Sequence, residues 1–144
     1  MHKMAFAAGF LALLVMTAPA YPAADTETPY GQYQQARALA SQADGLPTEE
    51  ARAKQYAEVA SLYRKAASQG YPAAQYDLGQ LLYDGLVVKK DYKEAFKWFD
   101  KAARQGIHPA QFYTGLCYQL GLGTKQNDAE AYFWLTLAQK GGWQ

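Results

Sequence analysis

The chain has one cysteine, Cys117, and two histidines, His2 and His108, in 144 residues. A lone cysteine has no partner for an internal disulfide, and with His2 in the expected leader described below, the one remaining histidine, His108, cannot furnish the usual two- or three-histidine zinc site. Charge of one sign is missing as well. Fourteen Lys and Arg face 13 Asp and Glu, and no basic run exceeds Lys89-Lys90. The positive footprint that phosphate-backbone binding requires is absent, which argues against a nucleic-acid partner. Only one long hydrophobic run exists, Met4 to Met16. It falls short of the roughly 18 apolar residues of a membrane anchor. It follows Met1-His2-Lys3 and precedes Ala18-Pro19-Ala20, the layout of a secretory signal peptide. Residues 1–20 are therefore expected to be cleaved after Ala20, leaving no membrane span. With no cysteine near that point, no lipid anchor is expected either.

What is abundant is tyrosine, 12 residues, with three tryptophans, and a helical spacing of apolar positions almost throughout. Residues 21–30 read as a flexible lead-in. A helix is expected from Gly31 to Ala43, ended by Asp44-Gly45. Another should start near Thr48, whose hydroxyl can cap it, with Glu49 and Glu50 at the positive end of the dipole, and stop at Gly70.

Sliding the chain against itself by 36 residues pairs Ala74 with Ala110, Gln75 with Gln111, Gly79 with Gly115, Gly85 with Gly121, Ala95 with Ala131, Trp98 with Trp134 and Gly106 with Gly142. The same shift pairs Ala66, Ala67 and Gly70 with Ala102, Ala103 and Gly106, while 31–43 finds no match. Each copy reads as a first helix (72–83, 109–120) ended by glycine, a loop, a polar cap at Asp91 or Asn127, and a second helix (91–105, 127–140). The expectation is an all-α solenoid of about three antiparallel helix pairs: a degenerate pair at 31–70, repeats at 71–106 and 107–142, and a tail at 143–144.

The run Ala74-Gln75-Tyr76-Asp77-Leu78-Gly79, then Gly85, then Asp91 to Gly106, answered by Ala110-Gln111, Gly115, Tyr118, Gly121-Leu122-Gly123, Ala131, Trp134 and Ala138, resembles the Sel1-like repeat, a relative of the tetratricopeptide repeat. Three positions depart from that pattern. Val87 stands at the second loop glycine, Thr114 at a core leucine, and Leu82 at the usual tyrosine. The resemblance implies a superhelix with a concave face, an adaptor's role and, for an exported bacterial member, a periplasmic location. Some exported relatives serve as immunity proteins against envelope-acting toxins. Others, stapled by paired cysteines that this chain lacks, have been linked to penicillin binding and suggest a cell-wall or β-lactam-acting enzyme.

Catalytic chemistry finds little support in the residues. Cys117 pairs with Leu81, an apolar position, and reads as a buried thiol. His108 pairs with Pro72 in a turn between repeats. Asp91 is explained by capping, and Gly121-Leu122-Gly123 lies between helices rather than between strand and helix. No catalytic residue, metal or cofactor is expected. Partner-binding candidates come from places where the copies disagree: Asp77, Gln80 and Asp84 pair with Tyr113, Leu116 and Leu120, so one column turns from polar to apolar. If that column lines the groove, the ligand is an amphipathic protein or peptide segment. The last helix adds Tyr132 and Phe133, an apolar end suited to docking a partner or a second copy.

Overall fold

The computed structural model describes residues 25–143; the expected signal peptide, the first part of the lead-in and Gln144 lie outside them. Six helices follow one another: α1 (Pro29–Asp44), α2 (Glu49–Ser68), α3 (Pro72–Asp84), α4 (Tyr92–Arg104), α5 (His108–Leu120) and α6 (Asp128–Lys140). No strand occurs among the described residues. Helices α1–α2, α3–α4 and α5–α6 pack as pairs, and α2 on α3 and α4 on α5 join the pairs into one stack. This is the expected α/α solenoid.

Local chemistry sets each boundary. The second helix of every pair starts at a polar cap: Thr48 Oγ1 accepts from Ala51 N at 3.2 Å, Asp91 Oδ1 from Glu94 N at 2.9 Å, and Asn127 Oδ1 from Ala129 N at 3.1 Å. Helices α3 and α5 have no side-chain cap and carry proline in the first turn, where a missing N–H costs nothing. They end on Gly85 and Gly121 at φ 62° and 67°, a left-handed geometry that a side chain would strain. The exits of α2, α4 and α6 are the same turn three times, with Tyr71, Ile107 and Trp143 donating back to the carbonyls of Ala66, Ala102 and Ala138.

Residues 25–30 depart from the expected lead-in. Thr28 Oγ1 accepts from Gly31 N at 3.0 Å, and α1 begins at Pro29. Pro29, Gln32 and Tyr33 therefore occupy in α1 the places of Pro72, Gln75 and Tyr76 in α3. The first pair is a full member whose spacing to the second is about two helical turns longer, because α1 and α2 run 16 and 20 residues where α3 to α6 run 13 each, an excess that the shorter connection at 45–48, against 85–91, offsets in part.

The repeated glutamine has a structural task. Gln75 and Gln111 are buried, and their Nε2 groups donate to the carbonyls of Ala67 and Ala103 at 3.1 and 3.2 Å. Each thereby adds a second hydrogen bond to a helix-end carbonyl of the preceding pair that already accepts from Gly70 N or Gly106 N. Within pairs, Gln69 donates to Gln32 Oε1 at 2.8 Å and Gln105 to Gln75 Oε1 at 2.7 Å. The third pair has Gly141 at that place, and the His108 ring fills the space, its Nδ1 3.1 Å from Gln111 Oε1.

The core is small residues against aromatics. Ala36, Ala66, Ala74, Ala95, Ala102, Ala110 and Ala138 are fully buried. A Cβ at Gly79 would meet the Phe99 ring at 2.7 Å, and one at Gly115 would meet Leu135 Cγ at 2.8 Å, so the two paired glycines let the second helix of each pair close on the first. Trp98 and Trp134, both buried, donate to Glu94 and Glu130 one turn back, each at 3.2 Å.

Thr114, in the place of Leu78, is fully buried and its Oγ1 has no hydrogen-bond partner. A stranded hydroxyl costs about 1–3 kcal/mol. Thr114→Val, which keeps the shape and removes the hydroxyl, is expected to raise stability by about 1 kcal/mol and the thermal midpoint by about 4 °C, read by circular dichroism.

Candidate partner-binding surfaces

Helices α1, α3 and α5, the first of each pair, hold one row of the stack, the inner row of the expected groove, and side chains connect them. Gln80 Nε2 on α3 approaches Tyr113 Oη on α5 at 3.5 Å. The Tyr76 and Tyr83 rings lie 6.2 and 5.3 Å from that of Tyr113. Asp77 lies beside Tyr33 and Arg37 of α1 and Tyr63 of α2. Asp77, Gln80, Tyr113 and Leu116 are half-buried, while Asp84 and Leu120 are exposed, Leu120 at 58%. The register of α1 extends the column by one helix: Gln34, Arg37 and Ser41 precede Asp77, Gln80 and Asp84. Across the row the face passes from polar through acidic to apolar.

Tyr113 is less available than Asp84 and Leu120. Its ring stacks on Phe99 at 4.9 Å and 15°, so one side is spent on the core and chiefly the hydroxyl end is left for a ligand. The aromatic on the facing helix decides this, and a two-copy alignment does not show it.

Asp77 has an electrostatic consequence. Burial pushes its carboxyl above the ordinary value, and the neighbouring Tyr33 and Tyr63 hydroxyls together with the Arg37 charge offset that only in part. The folded state therefore holds this proton more tightly than the unfolded chain does. Stability on this account is fullest below the unfolded carboxyl pKa of about 3.9 and is lost as pH rises through the folded value. Asp77→Asn, which cannot ionise, is expected to be more stable than wild type at pH 7, with the difference shrinking by pH 3.5. Urea midpoints at the two pH values check this, and the opposite trend would show that the carboxylate is favoured in place.

The second surface is the outward side of α6. Tyr132 and Phe133 are exposed at 75% and 55%, and with Leu137 and Lys140 they line a depression of about 180 Å³. Trp143, itself exposed, borders a separate depression with Phe112 and Leu135, and the two aromatics stay in water.

The nucleophile candidates do not come together. Cys117 is fully buried, and burial pushes its thiol up to about 12. His108 sits at the other end of the same helix, about 13 Å away at 1.5 Å rise per residue. An inert thiol with no base in reach is a packing residue. No cluster of His, Cys, Asp and Glu able to hold a metal occurs among the described residues.

The Sel1 repeat profile matches residues 38–71, 72–107 and 108–142. The chain belongs to the Sel1 repeat family. Its first Sel1 match begins inside α1, whereas the structural repeat begins at Pro29. A Sel1 repeat protein from Oxalobacter formigenes is similar at 27% identity and TM-score 0.66, over 79% of this chain and 82% of that one. The protective antigen c5321 of uropathogenic Escherichia coli, which displays an SLR fold, is similar at 29% identity and TM-score 0.57 over 81% of this chain. The match spans 31% of that longer protein. No protein of curated function matches. Sel1 repeats are in general protein-interaction modules and typically non-catalytic scaffolds, and no described helix is long and apolar enough to cross a membrane.

Proposed function

We propose that this Sel1 repeat chain is an exported adaptor of the periplasm that docks one protein partner on the row of α1, α3 and α5. The observation that carries the reading is the gradient on that row, from Arg37 and Asp77 to Leu116 and Leu120, beside an inert Cys117. A gradient of this kind suits an amphipathic segment whose polar end lies over α3 and whose apolar end lies over α5. Export is supported by the apolar run from Met4 to Met16 and by Ala18-Pro19-Ala20. The exposed Tyr132 and Phe133 favour α6 as a second contact, either for the same partner or for another copy of the chain.

The test is affinity capture from envelope extract with the tagged protein and with a variant carrying Leu116→Asp and Leu120→Asp. One partner held by the wild type and lost from the variant supports the inner row; equal recovery from both removes it. A purified protein that starts at Tyr21 would support export, and one that retains Met1 in the cytoplasm would contradict it.

A further inference from the structure

Two departures from the repeat meet at one place. In the last pair, Gly123 lets the loop between α5 and α6 rest directly on the backbone of Tyr92 at the start of α4. Val87 holds the corresponding place in the loop between α3 and α4, where no described residue other than glycine takes positive φ, so that loop follows another path. The first pair is also the long one, and its α1–α2 end overhangs the same loop. Between them lies a cleft of about 440 Å³, the size of a site for a small ligand or a few side chains.

Its wall is of two kinds. Leu81, Leu86 and Val87 form an apolar side, with Leu86 exposed at 82% on the rim. Asp44, Glu49 and Asp84 stand on the other parts of the wall, with Arg52 as the one cation. The ion pairs among the described residues are Arg64–Glu94 and Arg104–Asp100, and neither involves this cleft. Tyr56 donates to Asp44 Oδ1 at 2.6 Å and fixes that carboxylate at the mouth. Three carboxylates and one guanidinium, none of them ion-paired, leave an unmatched negative charge beside an exposed leucine.

We infer that this cleft binds a segment of a protein partner that presents a lysine or arginine next to an apolar side chain. The cation would lie among Asp44, Glu49 and Asp84, and the apolar group on Leu86 and Val87. The inference deepens the adaptor reading by giving the partner's chemistry, and it rests on that reading. Asp84 belongs both to the inner row and to the cleft wall, so a segment crossing α3 reaches both.

The probes are short blocked peptides with a Leu-Lys-Leu-Arg centre, a Leu-Glu-Leu-Glu centre or a Ser-Lys-Ser-Arg centre. Each is titrated into isotope-labelled protein expressed from the whole reading frame, with backbone amide shifts as the readout. The basic apolar peptide is expected to move Ala53, Leu86 and Val87 saturably below about 1 mM. The other two should bind at least about tenfold more weakly. Glu49→Gln and Asp84→Asn should each weaken binding about threefold, the scale of a solvated ion pair. Ala53→Trp, at an exposed position of α2, should remove it while the helical spectrum is unchanged. No saturable shift, shifts centred elsewhere, equal binding of the acidic peptide, or binding that survives Ala53→Trp would each overturn the inference. The Leu116→Asp, Leu120→Asp variant separates the two readings. If it loses the partner yet still binds the basic peptide, both stand. If it keeps the partner while Ala53→Trp loses both partner and peptide, the inner row fails and the cleft remains.

Discussion

Cutting Phe99 back to alanine is expected to cost about 3–5 kcal/mol of folding free energy, a large share of what a domain of this size possesses. Phe99 is fully buried, stacks on Tyr113, and lies 6.1 and 6.0 Å, centroid to centroid, from Tyr76 and Tyr83. It also fills the space that Gly79 leaves open. One ring thus joins α4 to its own pair and to the next, and neighbouring units in a stack are stabilised largely by that shared interface. Its aromatic neighbours Tyr76, Tyr83 and Tyr113 are themselves in ring–ring contact, which limits how far they can move into the cavity. Tyr132→Ala is the control, since an aromatic 75% exposed should change stability by no more than about 0.5 kcal/mol. Denaturant midpoints of the two variants measure the contrast, and a Phe99→Ala cost near that of Tyr132→Ala would mean that α4 and α5 do not pack as described.

Most of the architecture is legible in the sequence because the repeat is written in residues with one physical reason each. Asp91 and Asn127 cap, Gly85 and Gly121 accept positive φ, and Trp98 and Trp134 fill the core. The first pair escapes that reading for a geometric reason. Its Pro29, Gln32 and Tyr33 align with Pro72, Gln75 and Tyr76 only when about two extra helical turns are allowed, which a fixed 36-residue shift cannot find. The Pro-x-x-Gln-Tyr signature itself was there to be read. Gln75 and Gln111 are visible as a pair, but their bond to a carbonyl of the preceding pair belongs to the three-dimensional arrangement.

Among the candidate site residues, Asp84, Leu120, Tyr132 and Phe133 are exposed. Tyr113 is half taken up by the core, since the rotation of α5 against Phe99 sets which side of the ring faces water. The cleft beside Leu86 was not foreseen. It depends on how far α1 and α2 overhang a loop, and local sequence preference carries no information on that distance.

Leu120→Asp is expected to weaken partner binding at least about tenfold while moving the thermal midpoint by no more than about 2 °C. The side chain is 58% exposed in the last turn of α5, so the fold loses little apolar contact. A carboxylate near the negative end of the helix dipole adds only a few tenths of a kcal/mol. In the complex the same carboxylate would be pressed against the apolar end of the bound segment without a partner, and a desolvated charge of that kind costs several kcal/mol. Lys97→Glu, at an exposed position of α4, is the matched control and should leave binding within about twofold. Equilibrium titration of the captured partner against the three proteins provides the comparison.

The central claim is that α1, α3 and α5 present the docking face, and cross-linking in living cells tests it most directly. A photoreactive amino acid is placed in turn at Arg37, Asp84 and Leu120 on the inner row and at Lys93, Lys97 and Lys101 on exposed positions of α4. The account predicts one shared protein adduct from the inner positions and none from the α4 positions. An adduct from α4 with none from the inner row would contradict it.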